Sequence, residues 1–236
     1  VYQLKSISNS EVTPILYDAH CHCSELKGNY DVYIAAVSMD LKSSLATLSM
    51  RGVLRGVGIH PWNAGNGELR EVLNLVREAD FLGEIGLDYR LSRASKEVQL
   101  EYFSSILEAA PEKTANVHAL DAWRDTLNIL LRKGVKRAIL HWYSGPVELL
   151  KEIEGAGYFI TINPSVTSQE KHKRVLEKAP LEILLTESDG GYVYRGRLLE
   201  PPMVRESLES IAKVKGISLE DAEKAVERNF KRAFNI

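Results

Sequence analysis

The chain has 236 residues, 44% hydrophobic and 26% charged, enough to bury one sizeable core in a single domain spanning residues 1–236. Its formal net charge of −2 excludes an extended basic surface for coating nucleic acid, although a small site handling one phosphate would leave no such mark. Cys21 and Cys23 are the only cysteines; two residues apart they are poorly placed to bridge, which excludes a disulfide framework and fits a reducing cytoplasm.

A polar lead-in runs over residues 1–13, and with Lys5 and Glu11 in it the start does not read as a secretory signal. No apolar run approaches the roughly 18 residues of a membrane span, so a cytoplasmic protein without an anchor is expected. From there apolar runs alternate with helix-like segments. Strands are expected near residues 15–19, 32–37, 53–59, 81–86, 113–118, 137–142, 157–162 and 181–187. Helices are expected near 41–51, 67–79, 95–110, 121–133, 146–156, 168–179, 201–215 and 218–233.

Boundary residues agree with that reading. Gly134 follows the fourth helix, Gly155 and Gly157 the fifth, Pro201 and Pro202 open the seventh, and Ser218 with Glu220 and Asp221 starts the last. The stretch 23–31 is too short for a full helix, so the first crossover is expected to be abbreviated. Eight strands with helical crossovers predict a single-domain α/β fold, a (β/α)8 TIM barrel with its site at the carboxyl ends of the strands. An open doubly wound sheet would want a glycine-rich phosphate loop after strand one, where this chain has His20-Cys21-His22.

On an extended chain His20 and His22 point the same way. His60, His118 and His141 fall at the ends of strands three, five and six, which leaves only His172 on a helix. Glu84 stands near the end of strand four and Asp189 just past strand eight. Imidazoles and carboxylates drawn from nearly the whole chain suit two divalent ions with room for water, rather than a closed, local structural zinc site. Nitrogen-rich ligation favours Zn, Mn or Co, and the carboxylates keep Mg in play.

The order of motifs resembles the TatD-type metal-dependent deoxyribonucleases, a branch of the metal-dependent hydrolases. The markers are Asp18-Ala19-His20-Cys21-His22, Gly58-Ile59-His60-Pro61, Gly83-Glu84-Ile85-Gly86-Leu87-Asp88-Tyr89, Val117-His118, Leu140-His141-Trp142-Tyr143-Ser144-Gly145, Glu187-Ser188-Asp189 and Asn229-Phe230-Lys231-Arg232-Ala233-Phe234. The resemblance implies a TIM barrel, metal ligation by His20, His22, Glu84, His118, His141 and Asp189, and a place for His60 at the substrate. It also implies hydrolysis of phosphodiester bonds, commonly as exonuclease action on DNA, with Mg supporting activity. This chain departs from the usual pattern in three places: Leu120 stands for an arginine, Trp62 for a second histidine, and Gly191 for a proline.

The catalytic residues expected are Asp189, which takes the proton of the attacking water, with Glu84 and His60. Substrate contacts are expected from His60, Arg90 and Arg195, with Arg93 and Arg197 on loops at the same face. Lys171-His172-Lys173-Arg174 reads as a solvated helix face, Asp88 and Ser144 as orienters of the ligands, and Cys21 and Cys23 as packing residues turned away from the histidines. The leading function is a two-metal phosphodiesterase acting on DNA ends or single strands, with DNA or a nucleotide as partner and a monomer admissible. The alternatives are a metal-dependent acyl ester or amide hydrolase, such as one deacylating aminoacyl-tRNA, and a non-catalytic metal-binding protein.

Overall fold

The computed structural model describes residues 15–236, so the lead-in expected over residues 1–13 lies outside the described residues. Each of the eight apolar runs forms a strand: β1 Leu16–Cys21, β2 Val32–Ala36, β3 Leu54–Val57, β4 Phe81–Asp88, β5 Ala115–Leu120, β6 Ala138–Leu140, β7 Phe159–Ile162 and β8 Leu184–Thr186. Neighbours in sequence are neighbours in the sheet, and every pair is parallel. The last strand returns to the first. Asp189 N–H donates to His20 O at 3.0 Å, His22 N–H to Gly190 O at 2.8 Å, and the Thr186 hydroxyl to Tyr17 O at 2.5 Å. These bonds make the sheet a nearly closed TIM barrel.

Eight helices separate or follow the strands: α1 Leu41–Leu48, α2 Leu69–Leu75, α3 Lys96–Ala109, α4 Trp123–Arg132, α5 Leu150–Gly155, α6 Glu170–Lys178, α7 Val204–Lys215 and α8 Leu219–Phe234. Three of their starts are fixed by short polar side chains that replace missing backbone partners. Asp40 and Ser43 form a reciprocal capping box on α1, and Ser95 and Ser218 cap α3 and α8. The first crossover holds only a single 3₁₀ turn, Cys23–Glu25, as the spacing required.

α8 explains the terminal Asn-Phe motif. Asn229 Nδ2 donates to Leu181 O and Leu184 O at 2.8 and 2.9 Å, tying the helix to the start of β8. Phe230 and Phe234 then pack against Tyr17 and Phe81, each pair 5.1 Å between ring centres. Gly86 marks a close backbone approach. Its φ is +141°, and a Cβ there would lie 2.0 Å from His118 O, so β4 and β5 meet in register only with glycine at this position.

One element was not legible in the chain. Between β8 and α7 a small antiparallel hairpin forms, β9 Val193–Tyr194 with β10 Arg197–Leu198. Its two-residue turn, Arg195-Gly196, has φ of +49° and +81°, the left-handed pair that matches the twist of flanking strands. Among the described residues no helix is long and apolar enough to cross a membrane.

Candidate metal centre

Alternation along β1 turns Asp18, His20 and His22 to one face. The two histidines meet there, with Nε2 atoms 3.4 Å apart. Glu84 enters from β4, His118 from β5, His141 from just past β6, His60 from past β3 and Asp189 from past β8. All six residues expected as ligands, and His60, therefore converge at the carboxyl ends of the strands.

Glu84 is the hub. Its Oε2 lies 3.5 Å from His20 Nε2 and 3.4 Å from His22 Nε2, while its Oε1 lies 3.0 Å from both His118 Nδ1 and His141 Nε2 and 3.3 Å from His60 Nε2. Asp189 Oδ1 sits 3.3 Å from His22 Nε2 and 3.6 Å from His20 Nε2. Ligands held about 2.0–2.2 Å from one divalent ion are themselves roughly 3–3.5 Å apart, so these separations suit ion binding. Asp189 Oδ1 is also buried with no hydrogen-bond partner. A buried, unpaired carboxylate oxygen aimed at imidazole nitrogens is costly unless a cation completes it.

The outer nitrogen of each ring decides which lone pair faces inward. His20 Nδ1 meets Asn116 Oδ1 at 2.8 Å, and Asn116 Nδ2 is spent on Ala19 O, so His20 presents Nε2. His118 Nε2 meets Asp88 Oδ2 at 3.1 Å and presents Nδ1. His141 Nδ1 faces Glu187 Oε2 at 3.5 Å, leaving Nε2 inward. His60 is the exception. Its Nδ1 accepts the N–H of Trp62 at 3.1 Å, so a neutral His60 carries its proton on Nε2, toward Glu84. That ring is a donor, not a ligand.

Electrostatics agree with the division. Burial would raise Glu84, but His60, His141, His20 and the bond from His118 hold it well below the usual carboxylate range. Burial also opposes protonation of His118 and His141, yet bonds to Asp88 and Glu84 lift the first to about 9, and the charges of Glu84 and Glu187 lift the second to about 10. Burial dominates at His60 and brings it down to about 4. A divalent ion at His118 Nδ1 and His141 Nε2 would compete with protons for the same lone pairs.

Sequence reasoning missed Asn116 and Glu187 as supports. Asn116 lies two residues before His118 on β5, so alternation turns both inward, a signal readable in the chain. Glu187 is fully buried behind His141, anchored by the Thr161 hydroxyl at 2.5 Å, and with His20 and His141 it forms another group able to hold an ion. Asp18 stitches the barrel seam, accepting from Ser188 N at 2.9 Å and from the Ser188 hydroxyl at 2.5 Å. Asp88 is placed as expected. Ser144 is not: it lines the cavity, and none of the described hydrogen bonds joins it to a histidine.

One further expectation is corrected. Lys171, Lys173 and Arg174 are exposed, but His172 is fully buried; its Nδ1 bonds Tyr143 O at 2.8 Å and its Nε2 accepts from Asn163 N at 3.2 Å. The helical repeat of 3.6 puts it on the inner face with Val175 and Leu176. Cys21 and Cys23 are free, but their sulfurs lie 3.2 Å apart. Two residues apart they share a side, as alternation implies, and none of the described hydrogen bonds joins either to a histidine.

A cavity of about 720 Å³ opens over the cluster. Arg90 and Arg195 line it, and Leu120 fills part of its wall. Arg90 is tied to Asp121 by two bonds of 2.8 and 2.7 Å. Arg93 and Arg197 lie outside, the latter paired with Glu206. Arg195 has no carboxylate partner among the described residues.

A family model described as TatD related DNase matches residues 17–235. A metal-dependent hydrolase of Methanocaldococcus jannaschii is 31% identical over 237 residues, covering 90% of this chain and 94% of its own. The metal-dependent hydrolase YcfH of Escherichia coli K12 is 31% identical over 254 residues, covering 94% and 96%. The solved structure of YjjV, a TatD homologue of Escherichia coli K12, superposes with a TM-score of 0.79 at 19% identity, covering 94% of this chain and 98% of that one.

Proposed function

This chain belongs to the TatD-related DNase family of metal-dependent hydrolases, and we propose that it hydrolyses phosphodiester bonds of DNA, as an exonuclease on ends or single strands. The observation that carries the reading is Glu84, whose two oxygens face two different histidine pairs. Two divalent ions, Mg, Mn or Zn, would be held by His20, His22 and Asp189 on one side of Glu84 and by His118 and His141 on the other. Bound there, they would supply hydroxide at neutral pH and offset charge on the attacked phosphate.

The chain's own groups do the rest. Asp189, with its Oδ1 turned to His20 and His22, accepts a proton from the attacking water. His60, kept neutral by burial and oriented by the bond from Trp62 N–H, shares its single Nε2–H between Glu84 Oε1 and a phosphate oxygen. Arg195, at the rim, reaches for a phosphate farther along the strand, and Arg90 is held in orientation by Asp121. Few free cations face the cavity, so affinity for rigid duplex is modest and a flexible end is favoured.

The test compares a closed circular duplex, a blunt linear duplex and a single strand with Mg, Mn and Zn, using Asp189→Ala as control for contaminating nuclease. Metal-dependent loss of nucleotides from the linear substrates, absent in the control, is expected. Equal cleavage of the closed circle would remove the end-directed reading. No difference from the control on any substrate would transfer the site to acyl ester hydrolysis.

A further inference from the structure

We infer that Trp142, Tyr192 and Tyr194 form a stacking subsite for an unpaired nucleobase beside the metal centre. The inference rests on the phosphodiesterase reading and deepens it, naming which part of the nucleic acid is gripped besides the phosphate.

The three rings form one wall of the cavity. Trp142 meets Tyr194 edge to face at 5.2 Å and 71°, and Tyr192 at 6.2 Å and 78°. Large aromatics gain most when buried, yet Tyr192 is 40% exposed and its two neighbours are only half-buried. The wall is nonetheless fixed. Trp142 Nε1–H donates to Gln169 Oε1 at 3.1 Å, and Gln169 Nε2–H donates to the Tyr194 hydroxyl at 3.0 Å. With those polar edges engaged by one glutamine, Trp142 and Tyr194 offer the cavity chiefly carbon surface. Preorganised rings of this kind stack any base without losing further rotamer freedom.

Backbone geometry points the same way. Trp142 has φ +42°, an uncommon conformation for a bulky residue, and its N–H is held by Thr161 Oγ1 at 2.7 Å, the hydroxyl that also bonds Glu187. The hairpin of β9 and β10 sets Tyr194 beside its tight turn. Arg195, in that turn, lies 5.3 Å above the Tyr194 ring. The wall is also adjacent to the chemistry: Trp142 follows His141 directly, and Tyr192 N–H donates to Asp189 O at 3.1 Å.

The occupant this wall fits is an unpaired base. Charge selects it over a plain apolar group, since Arg195 and Lys171 line the same cavity without carboxylate partners among the described residues. Phosphates on either side of a stacked base meet these cations and the metal centre. A base inside a duplex has both faces covered by its neighbours and presents only its edges, so insertion beside Trp142 requires a frayed or single-stranded end.

The test uses the metal-loaded full chain and two strands: hexathymidylate, and a hexamer whose terminal two nucleotides are abasic. The wild-type ratio of kcat/KM for the base-bearing over the abasic end is expected to be about 5- to 150-fold, the measured range for one stacked base. Tyr192→Ala should bring that ratio toward one, and Tyr192→Phe should restore it. A wild-type ratio near one, or equal loss on both strands in Tyr192→Ala, overturns the subsite. If neither strand is cleaved, anisotropy of the same two strands, fluorescein-labelled, decides. Tighter binding of the base-bearing strand keeps the subsite while the hydrolytic reading fails, and equal binding overturns the subsite itself.

Discussion

Asp88 Oδ2 stands 3.1 Å from His118 Nε2, on the side of the ring turned away from Glu84. The same oxygen accepts the indole N–H of Trp62 at 2.7 Å, and Oδ1 accepts the N–H groups of Arg90 and Leu91 at 2.9 and 2.7 Å. One carboxylate thus sets the tautomer of a proposed ligand and shapes the loop beside it. Asp88→Asn keeps a side-chain oxygen for one of these roles but loses the charge. Affinity for the divalent ion should fall about 10- to 100-fold with the fold intact, as read by metal titration and circular dichroism. Unchanged affinity would mean that His118 is oriented by packing alone.

Removal of the ions tests the cluster as a whole. At a hundredfold excess of ion over Kd, binding to the native state contributes about 2.7 kcal/mol, so chelation should lower the melting temperature by roughly 5–10 °C. Zn, Mn and Mg should restore it in proportion to their affinities. A melting temperature indifferent to chelator and ion would remove the metal centre.

His172→Ala should cost about 1–3 kcal/mol, because the substitution leaves Tyr143 O and Asn163 N–H without their buried partner. Both groups belong to loops at the carboxyl ends of β6 and β7, near His141. Denaturant unfolding measures the loss. A variant as stable as wild type would show that water replaces the imidazole.

Leu120 lines the cavity at the position where the resemblance of the motifs implies an arginine. Leu120→Arg adds a guanidinium able to grip a phosphate with two bonds, and a charge-assisted hydrogen bond contributes about 1.5–3 kcal/mol. KM for a single strand should fall about tenfold or more at low salt and rise again with ionic strength. An unchanged KM, or a loss of bound metal, would show that the new side chain turns to Asp88 instead.

The sequence determined much of this protein. Its alternating apolar runs fixed eight strands and eight helices, because burial on a sheet and burial on a helix impose different periods. The short 23–31 connection left no room for a helix, and it holds one 3₁₀ turn. His20, His22, Glu84, His118, His141 and Asp189 were legible as one group because in a barrel every strand ends on the same face.

What the sequence left undecided depends on pairs of residues distant along the chain. That Glu84 divides its oxygens between two histidine pairs and that Asn116 and Glu187 back His20 and His141 follow from separations between different strands. The burial of His172 depends on which face of α6 meets the barrel. The aromatic wall needed the hairpin of β9 and β10, two residues on each side and below the length at which a periodic pattern can be read. Strand order is a local message repeated eight times, whereas tautomer, charge and cavity wall are set only when the ring closes and distant side chains exclude water together.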